Sequence, residues 1–265
     1  MPRAIWSGSI SFGLVTIPIK VYPAIKQKEI KFNLVDKEGH PIKYKYWCEE
    51  ENREVPKDEV RKAFKISKDK YIIIEKNDLE KLKLKTTKTI EIIEFIDISQ
   101  IDPIFYETAY YLAPSQGGEK AYFLFAEALR LSNKAAIAKV VMRNKEYLVA
   151  IRAYKKGLVM HILHYIDEIR DIEEIPELKT LIPLKEEELK LAQALIEKLT
   201  EKEVDLSKFK DTYTEALKKL IKAKIEGKEF KIEEEKPAEE AKSLMKALEE
   251  SIEIAKKKKK AEAKA

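Results

Sequence analysis

Between Ile137 and Tyr165 the sequence packs three apolar runs together with almost no chain between them. Ile137–Met142 and Tyr147–Tyr154 flank a turn at Arg143–Glu146, and Lys155–Gly157 reverses the chain again into Leu158–Tyr165. Runs this short, joined by turns this tight, read as antiparallel strands, because parallel neighbours need a crossover of a dozen residues or more. The rest of the chain must therefore complete an antiparallel sheet or barrel around this meander.

The preceding sequence supplies further strands. Val15, Ile17, Ile19 and Val21 alternate with Thr16, Pro18, Lys20 and Tyr22, a period of two that marks a half-buried strand. Pro18 lacks an N–H, which predicts an edge position or a bulge there. Ile42, Tyr44 and Tyr46 alternate with Lys43 and Lys45, and Tyr71–Glu75, Thr89–Ile96 and Tyr110–Ala113 read as strands too. Asn77 and Glu80 form a capping-box pattern that starts a short helix carrying Leu79 and Leu82. After the loop Pro114–Gly118, residues Glu119–Leu131 read as a helix that buries Ala121, Leu124, Phe125, Ala128 and Leu129.

Beyond Pro176 and Pro183 the apolar period becomes helical. Leu189, Ala192, Ile196 and Leu199 form one stripe; Tyr213, Leu217, Leu220, Ile221 and Lys224 lie on a second helix that ends at Gly227, a natural C-cap. Pro237 can open a third helix, with Ala241, Leu244, Leu248, Ile252 and Ala255 at near-heptad spacing, before the block Lys256–Lys260. Such stripes need the core or another copy of the chain to cover them.

No apolar run approaches a membrane span, and the N-terminus lacks the apolar block of a secretory signal, so a soluble, intracellular protein is expected. The lone Cys48 excludes an intrachain disulfide. With one cysteine and the three histidines His40, His161 and His164, neither a nucleophile–base pair nor a zinc set can be assembled from spacing alone. His161 and His164 fall on opposite faces of a strand. Only seven glycines occur, and none forms a phosphate-binding loop. Asp167 and Glu168 are adjacent carboxylates, which fits ion pairing better than acid–base work. The expectation is a protein without cofactor, metal or catalytic residue.

Charge decides more by placement than by sum. Charged residues make up 37% of the chain, weighted to lysine and glutamate as in hyperthermophile proteins, yet the net charge is only +5. Lys43 and Lys45 share one face of their expected strand. Lys139 and Arg143 share another, with Lys145 in the following turn, and Arg152, Lys155 and Lys156 mark the far end of the same hairpin. Cations on rigid strands suit phosphate contacts, while a solvated polar face explains the same pattern in a lysine-rich chain. The block Lys256, Lys257, Lys258, Lys259 and Lys260 has the form of an electrostatic tail able to contact DNA.

Several stretches resemble the prokaryotic Ku family. They are Arg3-Ala-Ile-Trp-Ser-Gly-Ser-Ile-Ser-Phe-Gly-Leu-Val15 with Ile17-Pro-Ile-Lys-Val-Tyr22, then Met142-Arg-Asn-Lys-Glu146, Asp167-Glu-Ile-Arg-Asp171, and Asp211-Thr-Tyr213 with Leu220-Ile221 and Lys224 to Gly227. They occur in family order, and their combination is specific where each alone is not. The resemblance implies a seven-stranded β-barrel core over 1–175 with a DNA-encircling bridge at about 25–70, a helical arm at 176–227, and a ligase-contacting C-terminal helix and tail at 228–265. It implies a ring-shaped homodimer that threads onto double-stranded DNA ends without reading sequence, protects them, and recruits ATP-dependent DNA ligase D in non-homologous end joining, in the cytoplasm at the nucleoid. The DNA contacts expected from the charged strands are Lys20, Lys43, Lys45, Lys139, Arg143, Lys145 and Arg152. Many members carry a Cys-x-x-Cys pair in the bridge; Cys48-Glu-Glu-Glu51 keeps only the first cysteine. Some members are credited with cutting abasic sites, and no residue here is assigned to that chemistry. A generic basic nucleic-acid-binding module, or a structural interaction protein without end specificity, is the alternative.

Overall fold

A computed structural model describes residues 2–26, 28–68, 70–75, 77–78, 88–142, 145–180, 182–201, 203–228, 248 and 250–254. Arg143, Leu79, Glu80, Leu82, Pro237, Ala241, Leu244 and the block Lys256–Lys260 lie outside the described residues. In chain order the strands are β1 (Trp6–Phe12), β2 (Val15–Pro23), β3 (Tyr46–Cys48), β4 (Arg53–Val55), β5 (Lys62–Ser67), β6 (Lys70–Ile74), β7 (Thr89–Asp97), β8 (Tyr106–Pro114), β9 (Lys134–Met142), β10 (Lys145–Tyr154) and β11 (Gly157–Leu163). Among the helices that accompany them are α1 (Glu119–Ser132), α2 (Glu186–Leu199) and α3 (Thr212–Ile225). The chain divides into two compact units, the first ending at Asp171 and the second beginning at Ile172.

Seven strands close into a barrel in the order β1-β2-β8-β11-β10-β9-β7. The expected meander is its centre, with β9, β10 and β11 paired in unbroken antiparallel register. Closure comes from β1 and β7, which run parallel, Ser9 opposite Thr89. A parallel pair needs a long crossover, and residues 13–88 provide it. At this seam Ser9 N–H donates to the carbonyl of Lys88 at 2.9 Å. A Cβ on Gly8 would meet that same carbonyl oxygen at 2.0 Å, so glycine is required for the two segments to approach.

The period of two fills the barrel. Ile10, Ile17, Ile19, Val21, Ile90 and Ile151 are fully buried within it, each side chain contributing roughly 1.5–3 kcal/mol by leaving water. Helix α1 adds Tyr122, Phe125, Ala126 and Leu129 to this core. The buried stripe expected on α1 is thus partly corrected: Tyr122 and Ala126 replace Leu124 and Ala128, Ala121 is half-buried against the core, and Leu124 is 70% exposed. The helix is rotated so that the Tyr122 hydroxyl can serve the strand ends, donating to Leu112 C=O at 2.5 Å and accepting from Leu158 N–H at 2.9 Å.

Pro18 is also not where its missing donor predicted. Strand β2 is interior, and its register with β1 runs through Pro18 without a bulge. Pairing of β2 with β8 begins one residue later, at Ile19 opposite Pro114, while Pro18 C=O accepts from Ser115 N–H at 2.9 Å. The absent N–H points where the ladder has already ended, so it costs the sheet no hydrogen bond.

A second, smaller core lies on the outer barrel surface. Ile101, Ala135, Ala150 and Leu163 are buried there against Ile96 and Phe105, under the short turns at Ile98–Gln100 and Pro103–Phe105. This roof covers one part of the outer surface and leaves the rest open.

Between β2 and β7 the architecture changes. Two small hairpins, β3–β4 and β5–β6, stand in an excursion in which no described residue from 22 to 89 is buried. The strand expected over Ile42–Tyr46 is corrected: residues 42–45 are irregular, and only Tyr46 onward pairs, with β4. Alternation there has no buried side to specify, so it carries no strand register.

In the second unit α2 and α3 form, and again no described residue is buried. On α2 the better-covered side chains are Leu191, Ala192 and Leu195, whereas Leu189, Ile196 and Leu199 are exposed. Helix α3 starts from an Asp211 cap, whose carboxylate accepts from Thr214 N–H at 2.9 Å. It stops at Gly227, which takes a φ of +68° as a C-terminal glycine should. Residues 248 and 250–254 are helical.

Candidate nucleic-acid interface

The alternation that buries one side of each barrel strand turns the other side outward; Lys20, Lys139 and Arg152 lie there, whereas Lys145 opposes the core residue Met142 and is exposed at the end of its strand. Lys139 sits on β9 opposite Leu148 of β10, and its ammonium is 3.1 Å from the Glu146 carboxylate. That contact raises the Lys139 pKa and fixes its positive charge. Lys145 opens β10, its Nζ 5.2 Å from the centre of the Tyr147 ring. Arg152 lies toward the other end of β10, its guanidinium 5.6 Å from the centre of the Tyr154 ring. Lys20 is exposed on β2, opposite Ala113 of β8.

These residues form two groups. Lys139 and Lys145 stand near the β9–β10 turn, where Arg143 lies outside the described residues. Arg152 stands near the β10–β11 turn, beside Lys155 and Lys156. Seven residue steps along β10 separate Lys145 from Arg152, a span of roughly 23 Å in an extended strand. Lys43 and Lys45 belong instead to the irregular part of the excursion. Lys45 is tied to Glu54 of β4 at 2.5 Å, and both partners are largely exposed. Lys43 has no ion pair among the described residues.

The sequence reading missed the aromatic side chains that carry these cations. Tyr111 and Tyr154 stack at 6.1 Å with 16° between their planes, although β11 separates their strands. Arg152 and Lys155 both lie against the Tyr154 ring, at 5.6 and 5.5 Å. A cation over an aromatic face gains about 0.5–1 kcal/mol at an exposed site, and its long side chain is held in place. The outward parity of Tyr154 and Arg152 on β10 was a usable signal; their meeting with Tyr111 was not, because it depends on the register of β8.

His161 occupies the same outer surface, at the centre of β11. Its ring meets the Tyr106 ring edge-on at 4.9 Å, and its Nε2 is buried without a hydrogen-bond partner. Burial, and secondarily the nearby Arg152 charge, lower its pKa and keep the imidazole neutral. Near the β9–β10 turn, Glu168 accepts from Tyr165 N–H at 2.9 Å, and its pKa is lowered by that bond and, to a lesser degree, by Lys145.

One group of possible metal ligands occurs among the described residues: Asp36, Glu38 and His40, all exposed. The Asp36 carboxylate is already used there. It accepts from the N–H groups of Glu38 and His40 at 2.9 and 2.8 Å and meets His40 Nδ1 at 3.0 Å, which accounts for the group as a side-chain-capped turn.

A closed seven-stranded barrel with a capping helix, a long unburied excursion and strand-mounted cations defines a β-barrel protein with an open basic surface. A family model described as the Ku70/Ku80 beta-barrel domain matches residues 11–206. The chain is 46% identical to a non-homologous end joining protein Ku of Archaeoglobus fulgidus, with 96% of this chain and 100% of that protein covered. It is 41% identical to a protein of the same name from Heliobacterium modesticaldum, covering 98% of this chain and 95% of the relative. For the Bacillus subtilis protein of that name the identity is 38%, over 94% and 81%. The chain belongs to the Ku family. No helix among the described residues is long and apolar enough to cross a membrane.

Proposed function

We propose that this chain binds the ends of double-stranded DNA in non-homologous end joining, acting as a ring-forming homodimer and as a non-enzymatic platform that brings DNA ligase D to the break. Kinship with proteins named for end joining, over nearly the whole length of the chain, carries this reading. The charge layout supports it. Lys20, Lys139, Lys145 and Arg152 are fixed on barrel strands, and such cations meet phosphates and sugars in any sequence. The excursion supports a paired assembly. Phe32, Tyr44, Trp47, Phe64 and Ile73 are each more than half exposed on it, an apolar load that a second copy would cover.

In this reading the excursion, about residues 25–70, is the bridge over the duplex, and Lys43 and Lys45 face DNA from it. Residues 176–227 are the helical arm. The stretch 228–265, with its Lys256–Lys260 block, touches DNA and the ligase. A closed ring admits only DNA with a terminus, so topology supplies the end specificity that phosphate contacts lack. A gel-shift comparison of linear duplex with covalently closed circles, together with the solution mass, tests the proposal. Binding to linear DNA alone by a species of twice the chain mass is expected. Equal binding to circles reduces the protein to a generic basic module, and a monomer removes the ring.

A further inference from the structure

A second feature adjoins the cationic surface. At the β10–β11 turn Tyr154 pairs with Gly157, so the whole connection is Lys155 and Lys156. Lys155 adopts a φ of +50°, a conformation suited to glycine or asparagine, the residues usual in such a turn. Lys155 therefore occupies a tip position where the backbone favours a smaller residue, and a second lysine follows it. Lys155 also links two surfaces. Its ammonium lies over Tyr154 on the outer side of the hairpin, and its side chain lines a cleft of about 300 Å³ against α1.

That cleft is floored by Ala126, Ala153 and Gly157 and rimmed by Phe123, Arg130, Lys155 and Lys156. Among the described residues its one acid is Glu127, which is bound to Arg130, with Nε of the arginine donating to the carboxylate at 3.0 Å. Lys156 has no ion pair among the described residues, so the rim keeps an excess of positive charge. Phe123 is 53% exposed beside these charges. From Tyr111 and Arg152, over Tyr154 and Lys155, to Phe123 in the cleft, exposed rings alternate with cations.

Ring faces distinguish the ligand. In a duplex the faces of the bases are covered by their neighbours, and only backbone and base edges are available. Unpaired bases offer their faces, and single-strand binding surfaces join aromatic platforms to a cationic path for the backbone. The cleft is sized for a nucleotide, not a double helix. We propose that this track holds the unpaired strand of a DNA end, with bases on Tyr111 and Phe123 and phosphates on Lys155 and Lys156. The proposal rests on the end-binding reading for the source of its ligand, while the track itself recognises single-stranded DNA.

Binding by the full-length protein is to be measured for a blunt duplex, the same duplex with a single-stranded tail of about six nucleotides, and a free single-stranded oligonucleotide. The tail is expected to tighten binding at least about fivefold, the effect of one stacked base. Tyr111→Ala with Phe123→Ala should remove that gain, and Phe123→Ala alone should reduce it with blunt binding unchanged, while Tyr111→Phe with Phe123→Tyr, which keeps both faces, should retain it. Matching thermal melts identify folded variants, and the conservative pair keeps the test valid if the alanine pair unfolds. No gain from the tail, or a gain that survives in the folded alanine pair, overturns the track. Loss of blunt binding with oligonucleotide binding intact and ring-dependent overturns the end-binding reading instead and upholds the track.

Discussion

The buried hydroxyl of Tyr122 lies so close to Gly157 that a Cβ there would stand 2.9 Å from it. The hydroxyl bridges Leu112 C=O and Leu158 N–H at the end of the β8–β11 ladder, so one oxygen atom of helix α1 joins both strands. Burial raises the phenol pKa, which keeps the hydroxyl protonated and able to donate.

Tyr122→Phe should therefore destabilise the first unit by about 2 kcal/mol, the cost of leaving buried backbone partners unmade. Gly157→Ala should cost about 1–3 kcal/mol by crowding that oxygen. In the Tyr122→Phe background, where the crowded atom is gone, the same Gly157→Ala change should cost less by at least about 0.5 kcal/mol. Urea unfolding of the four proteins closes the cycle, and strict additivity would disprove the contact.

Neutralising Lys145 and Arg152 together, each to glutamine, should weaken binding to linear duplex about tenfold at low salt. The slope of log affinity against log salt should fall by about two, one for each phosphate left without its cation. Titrations at several salt concentrations measure both. An unchanged slope in the folded double variant would move the phosphate-binding residues elsewhere.

Lys43 and Lys45 should differ. Lys45 is engaged by Glu54, and Lys43 is not paired among the described residues. Lys43→Gln should reduce duplex affinity more than Lys45→Gln does, and Glu54→Gln, which frees Lys45, should raise it. The ordering of the three affinities is the readout.

His161 predicts a pH dependence of stability. Its pKa in the folded chain is lowered, chiefly by burial, so the unfolded chain binds a proton more readily. Stability from the neutral ring is present above the ordinary imidazole value of about 6.5 and is lost as pH falls below it toward the lowered folded value. Between about pH 7.5 and about pH 5.5, the parent protein should lose more stability than His161→Phe, as measured by urea unfolding. Equal losses would show that the ring is not held neutral.

Legibility followed burial. Strands β2, β9, β10 and β11 could be read because each has one side in the barrel, and alternation records that directly. The excursion misled at Ile42–Tyr46 because, with no side buried, alternation there reports nothing. On α1 several apolar positions could have formed the buried stripe, and the choice fell to Tyr122 through a hydrogen bond to strands distant in sequence. The site was legible only as parity. Lys139 and Arg152 could be placed on the outer surface, whereas the stack of Tyr111 on Tyr154 depends on the β8–β11 register.

Local patterning alone determined the strand-rich core, the later change to helices, the Gly227 stop and the family signature, since each is written in periods and caps within a few residues. Barrel closure by the parallel β1–β7 pair, the interior position of Pro18, the union of Tyr122 with Gly157 and the alternation of rings and cations along the β10–β11 turn were decided by tertiary structure. These join residues tens of positions apart, and only the closing of the sheet fixes which strand meets which and which side chains then face each other.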